Sequence, residues 1–294
     1  MTSVAVIAHS KKSLGGGLGE LREILARNGV TDPLWYEVPK SKKAPKCARR
    51  AVKDGADLVF VWGGDGMVQQ CVDALAGTDT AIAILPAGTA NLLAANLGIP
   101  KDIDRAVQIG LHGRRRRLDV GRINGERFAV MAGVGFDARM IRDADRGLKD
   151  RVGRLAYIAT GAKNLRGRRV RMRIDVDGEE WFDGDAGCVL FANVGTILGG
   201  IEAFEHARPD DGRLEVGVVT AEGAIQWVRA LSRTALGHAE KSPFVQITTG
   251  KKIDVRLSRP SPYELDGGDR SDTKRLKVRV EPGAAIVCVE ERAA

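Results

Sequence analysis

The sequence is poor in three features that would narrow its class at once: paired cysteines, aromatic residues and long apolar runs. Its 294 residues include four cysteines, and no two of them are spaced as a Cys-x-x-Cys pair. We therefore expect neither a disulfide framework nor a cysteine-based zinc site, and we expect a reducing, cytoplasmic environment. No stretch reaches the roughly 18 apolar residues that a membrane-spanning helix needs. We therefore predict that the protein is not an integral membrane protein.

Positive charge is in excess, because 46 lysines and arginines face 38 aspartates and glutamates, a net charge of +8. The densest basic run is Arg114-Arg115-Arg116-Arg117. Such an excess favours an anionic partner such as a nucleotide or an acidic membrane surface, although a well-solvated basic surface explains it equally well. Aromatic residues make up 5% of the chain and none adjoins this run. We therefore predict no nucleic-acid partner, since single strands bind by stacking on aromatic side chains.

Strand and helix patterns alternate over residues 1–117. Short apolar runs at Ser3–Ala8, Asp57–Trp62 and Thr80–Leu85 read as buried strands, and a loop followed by a helical pattern comes after each of them. This alternation predicts an N-terminal α/β domain with a doubly wound parallel sheet.

Residues 118–294 have a different pattern, with short strand candidates that come in pairs. Asn124-Gly125 and Asp177-Gly178 separate two such pairs and are strong hairpin signals. Helical patterns interrupt the strands at Phe136–Leu165 and Glu222–Gly237. We predict a C-terminal antiparallel β-sandwich domain, with a return of the last residues to the first domain left open.

The strongest chemical signal is the segment Gly63-Gly64-Asp65-Gly66, which lies between a predicted buried strand and a helix. Glycines let a ligand approach the backbone, and the helix predicted to start at Met67 offers N–H groups and a positive dipole end to phosphate. Asp65 is placed to hold Mg²⁺ against the phosphates or to orient a nucleophile. An ordinary strand-to-helix turn is the alternative.

A second loop, Pro86–Asn91, also follows a buried strand and precedes a helix. Because the carboxyl ends of parallel strands meet at one edge of a sheet, we expect this loop to lie beside the first. Gly88, Thr89 and Asn91 can then contact phosphate or ribose. Helix capping is the alternative role for Thr89 and Asn91.

Together these two loops resemble those of the diacylglycerol kinase catalytic-domain family. That family includes bacterial lipid kinases and sphingosine kinases, and it is distantly similar to the NAD kinases and phosphofructokinases. Further segments of the second half match the family pattern in order: Leu118–Gly121, Ala132–Asp137, Pro209–Glu215 and Leu265–Gly267. The resemblance covers nearly the whole chain.

The resemblance implies ATP and Mg²⁺ as cofactors and a lipid as the substrate. The first glycine loop and Thr89 would bind the ATP phosphates, and Lys11 could neutralise them. In the acidic loop, Asp211 would hold a structural Mg²⁺ together with the carbonyl oxygens of Arg208 and Arg213, which are hard ligands that suit this ion. Peripheral contact with an anionic membrane and a possible homodimer complete the expectation.

The chain departs from the family pattern at several positions. Met67 replaces the usual threonine of the glycine loop, and Gln70 replaces an acidic residue. The family places a glutamate, thought to deprotonate the lipid hydroxyl, after the Asp266-Gly267 pair, and here that residue is Gly268. We predict that Asp269, next in the chain, takes over this role, so that Asp65, Asp266 and Asp269 form the catalytic set.

The resulting prediction is an ATP-dependent lipid kinase that transfers the γ-phosphate to the hydroxyl of diacylglycerol or a related lipid. Two alternatives remain open. One is an NAD kinase, which shares the glycine loop, although the polar segment that such enzymes use around NAD is not found. The other is a catalytically weak nucleotide-binding relative that acts as a sensor or partner-binding protein.

Overall fold

The computed structural model describes residues 3–135, 169–197, 201–222, 226, 230 and 242–291. The chain divides into two compact units. The first combines Met1–Val120 with Pro282–Ala294, and the second spans Gly121–Glu281. The predicted boundary at residue 117 and the observed division at residue 120 lie within one strand, Arg114–Ile123.

The first unit is an alternation of strands and helices. Its elements are β1 (Val4–His9), α1 (Gly17–Arg27), β2 (Leu34–Val38), a short 3₁₀ turn (Ser41–Lys43), α2 (Ala44–Lys53), β3 (Leu58–Gly63), α3 (Asp65–Leu75), β4 (Ala81–Pro86), α4 (Leu92–Asn96) and α5 (Ile103–His112). The strands are parallel in the order β2-β1-β3-β4. The predicted α/β domain with a parallel sheet is therefore confirmed.

Burial explains why these short runs form strands. Every residue of β3 and β4 is buried, as expected for strands that are covered on both faces. The helix α2 packs against α3, and α1 packs against α5. The helix α5 was not predicted, although Asp102 caps it by accepting a hydrogen bond from the Arg105 amide at 2.8 Å.

The second unit is antiparallel. Its strands are β5 (Arg114–Ile123), β6 (Glu126–Phe128), β7 (Met131–Val134), β8 (Val170–Val176), β9 (Glu179–Ala186), β10 (Cys188–Ala192), β11 (Thr196–Ile197), β12 (Ile201–Glu202), β13 (Leu214–Val219), β14 (Val245–Gly250), β15 (Lys252–Leu265) and β16 (Gly268–Val289). Strand β5 begins in the first unit, and β16 ends there. The predicted β-sandwich domain is confirmed, with a core that includes Phe128, Met172, Phe191, Val255 and Leu276.

Three hairpins of this unit have the same two-residue turn. The turn residues Asn124-Gly125, Asp177-Gly178 and Asp266-Gly267 all have positive φ, as a type I′ turn requires. The sequence predicted the first two as hairpins. The third joins β15 to β16, with Leu265 paired to Gly268.

Two further differences concern the second half. The sequence patterns of Arg275–Val280 and Ala285–Val289 predict two separate strands, but both are parts of the single strand β16, whose end pairs in parallel with β4. The predicted helices at Phe136–Leu165 and Glu222–Gly237 lie almost entirely outside the described residues.

Of the helices in the described part of the chain, none combines the length and apolar character needed to cross a membrane.

Candidate functional site

The two glycine-rich loops meet at the carboxyl edge of the parallel sheet. Strands β3 and β4 are paired to their ends, where Gly63 lies opposite Pro86. Immediately beyond, a Cβ on Gly88 would lie 2.4 Å from the Cα of Gly64, a distance that real Cβ atoms do not reach. The absence of side chains at both positions therefore lets the loops touch through their backbones.

Asp65 ties the first loop to the second. Its carboxylate accepts a 2.9 Å hydrogen bond from the Asn91 amide and a shorter bond from the Leu92 amide. Burial raises the pKa of Asp65, whereas these amides and the charge of Lys101 lower it. The Asp65 carboxylate therefore positions the second loop through hydrogen bonds within the protein, a role that the sequence did not predict.

Asn91 fixes the shape of the second loop. It is buried and has a left-handed backbone with φ of 52°. Its side chain accepts a hydrogen bond from the Gly88 amide at 2.9 Å and donates one to the Gly88 carbonyl at 2.8 Å. Asn91 therefore shapes the loop from within, while Thr89 is exposed.

The helix after the first loop starts earlier than the sequence predicted. It begins at Asp65, and the Met67 amide donates a 2.8 Å hydrogen bond to the Gly64 carbonyl. The Met67 side chain is buried, so this residue stabilises the loop from the protein interior. Gly66 is exposed, and a Cβ there would meet no atom within 4 Å, which leaves open space at the loop.

A third loop follows β1 at the same edge of the sheet. Its lysines Lys11 and Lys12 are exposed. The loop is held by a hydrogen bond from the Trp62 indole to the Lys12 carbonyl, at 3.0 Å, and by one from the Lys11 amide to Nδ1 of His9, at 3.2 Å. Burial and the two lysine charges lower the pKa of His9, which favours its neutral form at neutral pH.

A further lysine reaches this edge from outside the predicted motifs. Lys101, between α4 and α5, donates a 2.6 Å hydrogen bond from Nζ to the Thr89 carbonyl. No sequence pattern links the two residues, because the contact depends on how the chain returns after α4.

The acidic loop lies just before β13 and contains the three predicted metal-binding residues Arg208, Asp211 and Arg213, all exposed. Asp211 Oδ1 accepts a hydrogen bond from the Arg213 amide at 2.9 Å. The buried Glu215 lies nearby, and burial raises its pKa, with the charge of Asp211 acting in the same direction. Within the described residues, no group of three or more histidine, cysteine, aspartate or glutamate side chains could hold a metal ion.

Asp266 holds the turn between β15 and β16. Its buried carboxylate accepts hydrogen bonds from three successive backbone amides, those of Ala129, Val130 and Met131, at 2.8 to 3.0 Å. The sequence placed Asp266 in the catalytic set. Its contacts are instead those of a residue that positions the turn, because backbone amides donate hydrogen bonds to both carboxylate oxygens.

Gly268 and Asp269 are both held in the ladder of this hairpin. Gly268 pairs with Leu265, and Asp269 pairs with Glu264. Successive strand residues face opposite sides of a sheet, so the exposed Asp269 does not take the direction of a side chain at position 268. The strand pairing therefore fixes the backbone direction of both residues.

The space beside Gly268 is occupied by an arginine. A Cβ on Gly268 would lie 2.9 Å from Nη1 of Arg270. That guanidinium also donates to the carboxylate of Glu126 through Nε and Nη2, at 2.7 to 2.9 Å. Glu126 and Arg270 were not among the predicted site residues, since only the folded hairpins bring them together.

In the first unit, the structure thus brings together Asp65, Gly64, Gly88, Asn91 and Lys101, with Thr89 beside them. Backbone amides, a helix of eleven residues that begins at the loop and exposed lysines on adjoining segments are the groups that bind phosphate. The fold and this edge define the class of α/β nucleotide-binding domains that are joined to a β-sandwich.

Comparisons with known proteins identify the family. The model of the diacylglycerol kinase catalytic domain matches residues 4–123, and that of the YegS C-terminal NAD kinase beta sandwich-like domain matches residues 130–289. A diacylglycerol kinase of Mycobacterium tuberculosis is 31% identical over 212 residues, which are 70% of this chain and 68% of the relative. The chain therefore belongs to the diacylglycerol kinase catalytic-domain family, a family of lipid kinases.

Solved structures show the same fold. A diacylglycerol kinase from Bacillus anthracis superposes with a TM-score of 0.75 at 20% identity, covering 98% of this chain and 97% of that one. An NAD kinase from Archaeoglobus fulgidus in complex with ATP has a TM-score of 0.58 at 11% identity, covering 99% and 94%. At these identities the likeness concerns the fold alone.

Proposed function

We propose that the protein is an ATP-dependent lipid kinase that transfers the γ-phosphate to the hydroxyl of diacylglycerol or a related lipid. Family membership supports phosphoryl transfer. The single observation that carries the nucleotide assignment is the backbone contact of the two glycine loops at Gly64 and Gly88, clamped by Asp65. A side chain at either glycine would clash with the backbone of the other loop and push apart the two loops whose amides we assign to phosphate binding.

In this proposal the first unit binds and orients ATP. The amide of Gly66 and the start of α3 face the phosphates, and Lys11 supplies positive charge from the adjoining loop. Asp65 keeps the second loop in place through its bonds to the amides of Asn91 and Leu92. Catalysis of phosphoryl transfer rests mainly on such positioning and charge stabilisation.

Mg²⁺ is proposed at two places, and the residues present fit it in different ways. At the phosphates, ATP itself supplies most of the oxygen ligands, and Asp65 is the nearest protein carboxylate of the loop. At the acidic loop, Asp211 has a second carboxylate oxygen beyond the one that accepts from Arg213, with the carbonyls of Arg208 and Arg213 as further hard ligands. When bound, the ion would neutralise phosphate charge at the first place and brace the loop at the second.

The hydroxyl of the lipid is proposed to give its proton to a carboxylate of the β15–β16 hairpin. As it does so, the hydroxyl oxygen bonds to the γ-phosphorus, the bond from that phosphorus to the bridging oxygen breaks, and ADP leaves. Asp269 is the exposed carboxylate of this hairpin turn, and Asp266 positions the turn.

The test is transfer of label from γ-labelled ATP to a total lipid extract in the presence of Mg²⁺, with products separated by chromatography. We expect a labelled lipid with the wild type and at least a hundredfold less with Asp65→Asn. Asp269→Ala is expected to reduce the rate by ~10²–10⁴, the usual contribution of general base catalysis. Asp272→Ala is the matched control, because it is an exposed aspartate of the same strand.

Three outcomes would change the assignment. Full activity in Asp269→Ala together with loss in Glu126→Gln would move the base to Glu126. Production of NADP from NAD and ATP would favour an NAD kinase instead. ATP binding without label in any lipid would favour the nucleotide-binding relative.

Membrane contact, a homodimer and a cytoplasmic location stay predictions. The net charge of +8 favours reversible attraction to acidic lipid headgroups. Co-sedimentation with anionic vesicles should then weaken as salt rises, because screening shortens the reach of surface charges. Salt-independent co-sedimentation would contradict the electrostatic explanation.

A further inference from the structure

Lys101 lies outside both glycine-rich loops in the sequence but returns to them in space. It follows α4 and precedes α5, and its Nζ donates to the carbonyl of Thr89 at 2.6 Å. Thr89 is the exposed tip of the second loop, and Lys101 is exposed as well. The ammonium group is therefore held at the solvent-facing side of the loop.

The ammonium also acts on the first loop through its charge. Burial raises the pKa of the Asp65 carboxyl, and the positive charge of Lys101 opposes that rise. The carboxylate of Asp65 is already bonded to the amides of Asn91 and Leu92. Lys101 is thus bonded to the second loop, which Asp65 ties to the first.

The hydrogen bond to Thr89 does not use up the ammonium group. A lysine carries three N–H donors, and the Thr89 carbonyl takes one of them. A contact at an exposed side chain contributes little to stability on its own, so support of the loop is a weak reason for holding a charge here. A compact point charge beside a glycine loop is what lysine supplies to phosphate sites.

We propose that Lys101 is a phosphate-contacting residue of the nucleotide site, where its ammonium group pairs with the terminal phosphates of ATP. The proposal rests on the proposed function, because it takes ATP as the ligand of the glycine loops. It adds a cation that neither glycine-rich loop contains. It also makes recognition of the triphosphate depend on the segment between α4 and α5.

The test is the affinity of the full-length protein for ATP, ADP and adenosine, measured by titration calorimetry with Mg²⁺ present. Lys101→Met should weaken ATP binding about tenfold or more, as expected for a lost hydrogen bond to a charged group. ADP should be affected less, and adenosine should bind as it does to the wild type. Lys101→Arg keeps the charge and should recover most of the ATP affinity.

The matched control is Lys53→Met, an exposed lysine at the end of α2. Since helix ends and strand starts meet at the other edge of the sheet, this change should leave all three affinities unaltered. A thermal melt of each variant checks that the fold is kept.

Three results would overturn the proposal. Unchanged ATP affinity in Lys101→Met would show that the ammonium does not contact the nucleotide. Equal weakening of ATP and adenosine would show that Lys101 only supports the Thr89 loop. A wild-type protein that binds no adenine nucleotide would overturn both this proposal and the proposed function. ATP binding without lipid labelling would contradict only the proposed function. The role of Lys101 would then still be decided by comparing the affinities for ATP, ADP and adenosine.

Discussion

Gly268 occupies the position at which the resemblance predicts a glutamate, and its surroundings limit what a side chain there could do. The guanidinium of Arg270 already lies where a Cβ would be, with Nη1 at 2.9 Å. Arg270 also pairs with Glu126, and its side chain is only 20% exposed. A larger residue at 268 therefore requires the end of the Arg270 side chain to shift, which strains this ion pair.

We predict that Gly268→Ala costs about 1 kcal/mol of unfolding free energy by loosening the Arg270–Glu126 pair, which is partly exposed and worth little more than that. In an Arg270→Met background the same change should cost less, because there is no guanidinium to displace. Urea denaturation of the two single variants and the double variant measures this coupling. Additive effects would contradict the contact. By the same reasoning, Gly268→Glu alone should not raise kinase activity.

Asp266 is the residue of the hairpin turn on which the fold depends most. Asp266→Asn removes a charged acceptor from three backbone amides and turns an amide group toward them. We expect a loss of about 3 kcal/mol or more in unfolding free energy. Asp269→Asn, at the exposed neighbour, should stay within about 0.5 kcal/mol. If both variants unfold at the same urea concentration, the bracing role of Asp266 is wrong.

At the scale of elements, a carboxylate joins the β5–β6 hairpin to β16. Glu281 accepts hydrogen bonds from Arg122, Arg127 and Arg279. Burial by itself would raise the pKa of Glu281, but the three guanidinium groups outweigh it and lower the pKa from 4.5 to about 2. The charged form is therefore favoured in the folded protein.

The sign of the pH dependence follows from this shift. Because the folded pKa is depressed, Glu281 contributes stability above pH 4.5 that is lost as the pH falls through about 2. Its side chain is 18% exposed, so the contribution is at most about 3 kcal/mol. Glu281→Gln should be less stable than the wild type at pH 6 and should lose less stability between pH 5 and pH 2. Urea midpoints over this range measure the difference, and parallel curves would contradict it.

Elements that are marked by uninterrupted local signals were predictable, and elements that depend on partners were not. The strands β1, β3 and β4 were predicted to within one residue at their ends, because each is a short apolar run followed by a polar or glycine-rich loop. The strand β16 was predicted as two strands, since Pro282 and Gly283, residue types that usually mark a turn, separate the two patterns. Its hairpin turn at Asp266-Gly267 carries the same two-residue turn signal as Asn124-Gly125. These two residues were assigned to a family motif and were not predicted as a hairpin turn.

The residues of the candidate functional site could likewise be predicted only where a local sequence pattern marks them. Glycine loops follow from composition and from their place after buried strands, so Gly64 and Gly88 could be found in the sequence. The bond from Asp65 to the Asn91 amide and that from Lys101 to the Thr89 carbonyl join residues 26 and 12 positions apart. Such contacts depend on loop shape and side-chain rotamer, which no local pattern encodes.

On the scale of the whole molecule, the chain crosses between its two units more than once. The segment from Pro282 onward returns to the first unit, where Ile286 and Val287 pair with β4. The Ala284 carbonyl accepts a hydrogen bond from Gly77, and the Gly283 amide donates to Asp119 at 2.8 Å. The first unit is therefore completed by the end of β16.

Removal of residues 282–294 should consequently unfold the first unit and spare the second. The deleted strand buries Ile286, Val287 and Val289, which together contribute about 5 kcal/mol, as much as the whole stability of a marginal domain. Hydrogen exchange measured by mass spectrometry should show lost protection in β3 and β4 and retained protection in β8 and β15. Val287→Ala keeps the strand while it removes part of its packing, and should give a smaller loss confined to the same unit. Equal protection of β4 in the truncated and complete chains would mean that the first unit folds without its last strand, and ATP affinity should then survive the truncation as well.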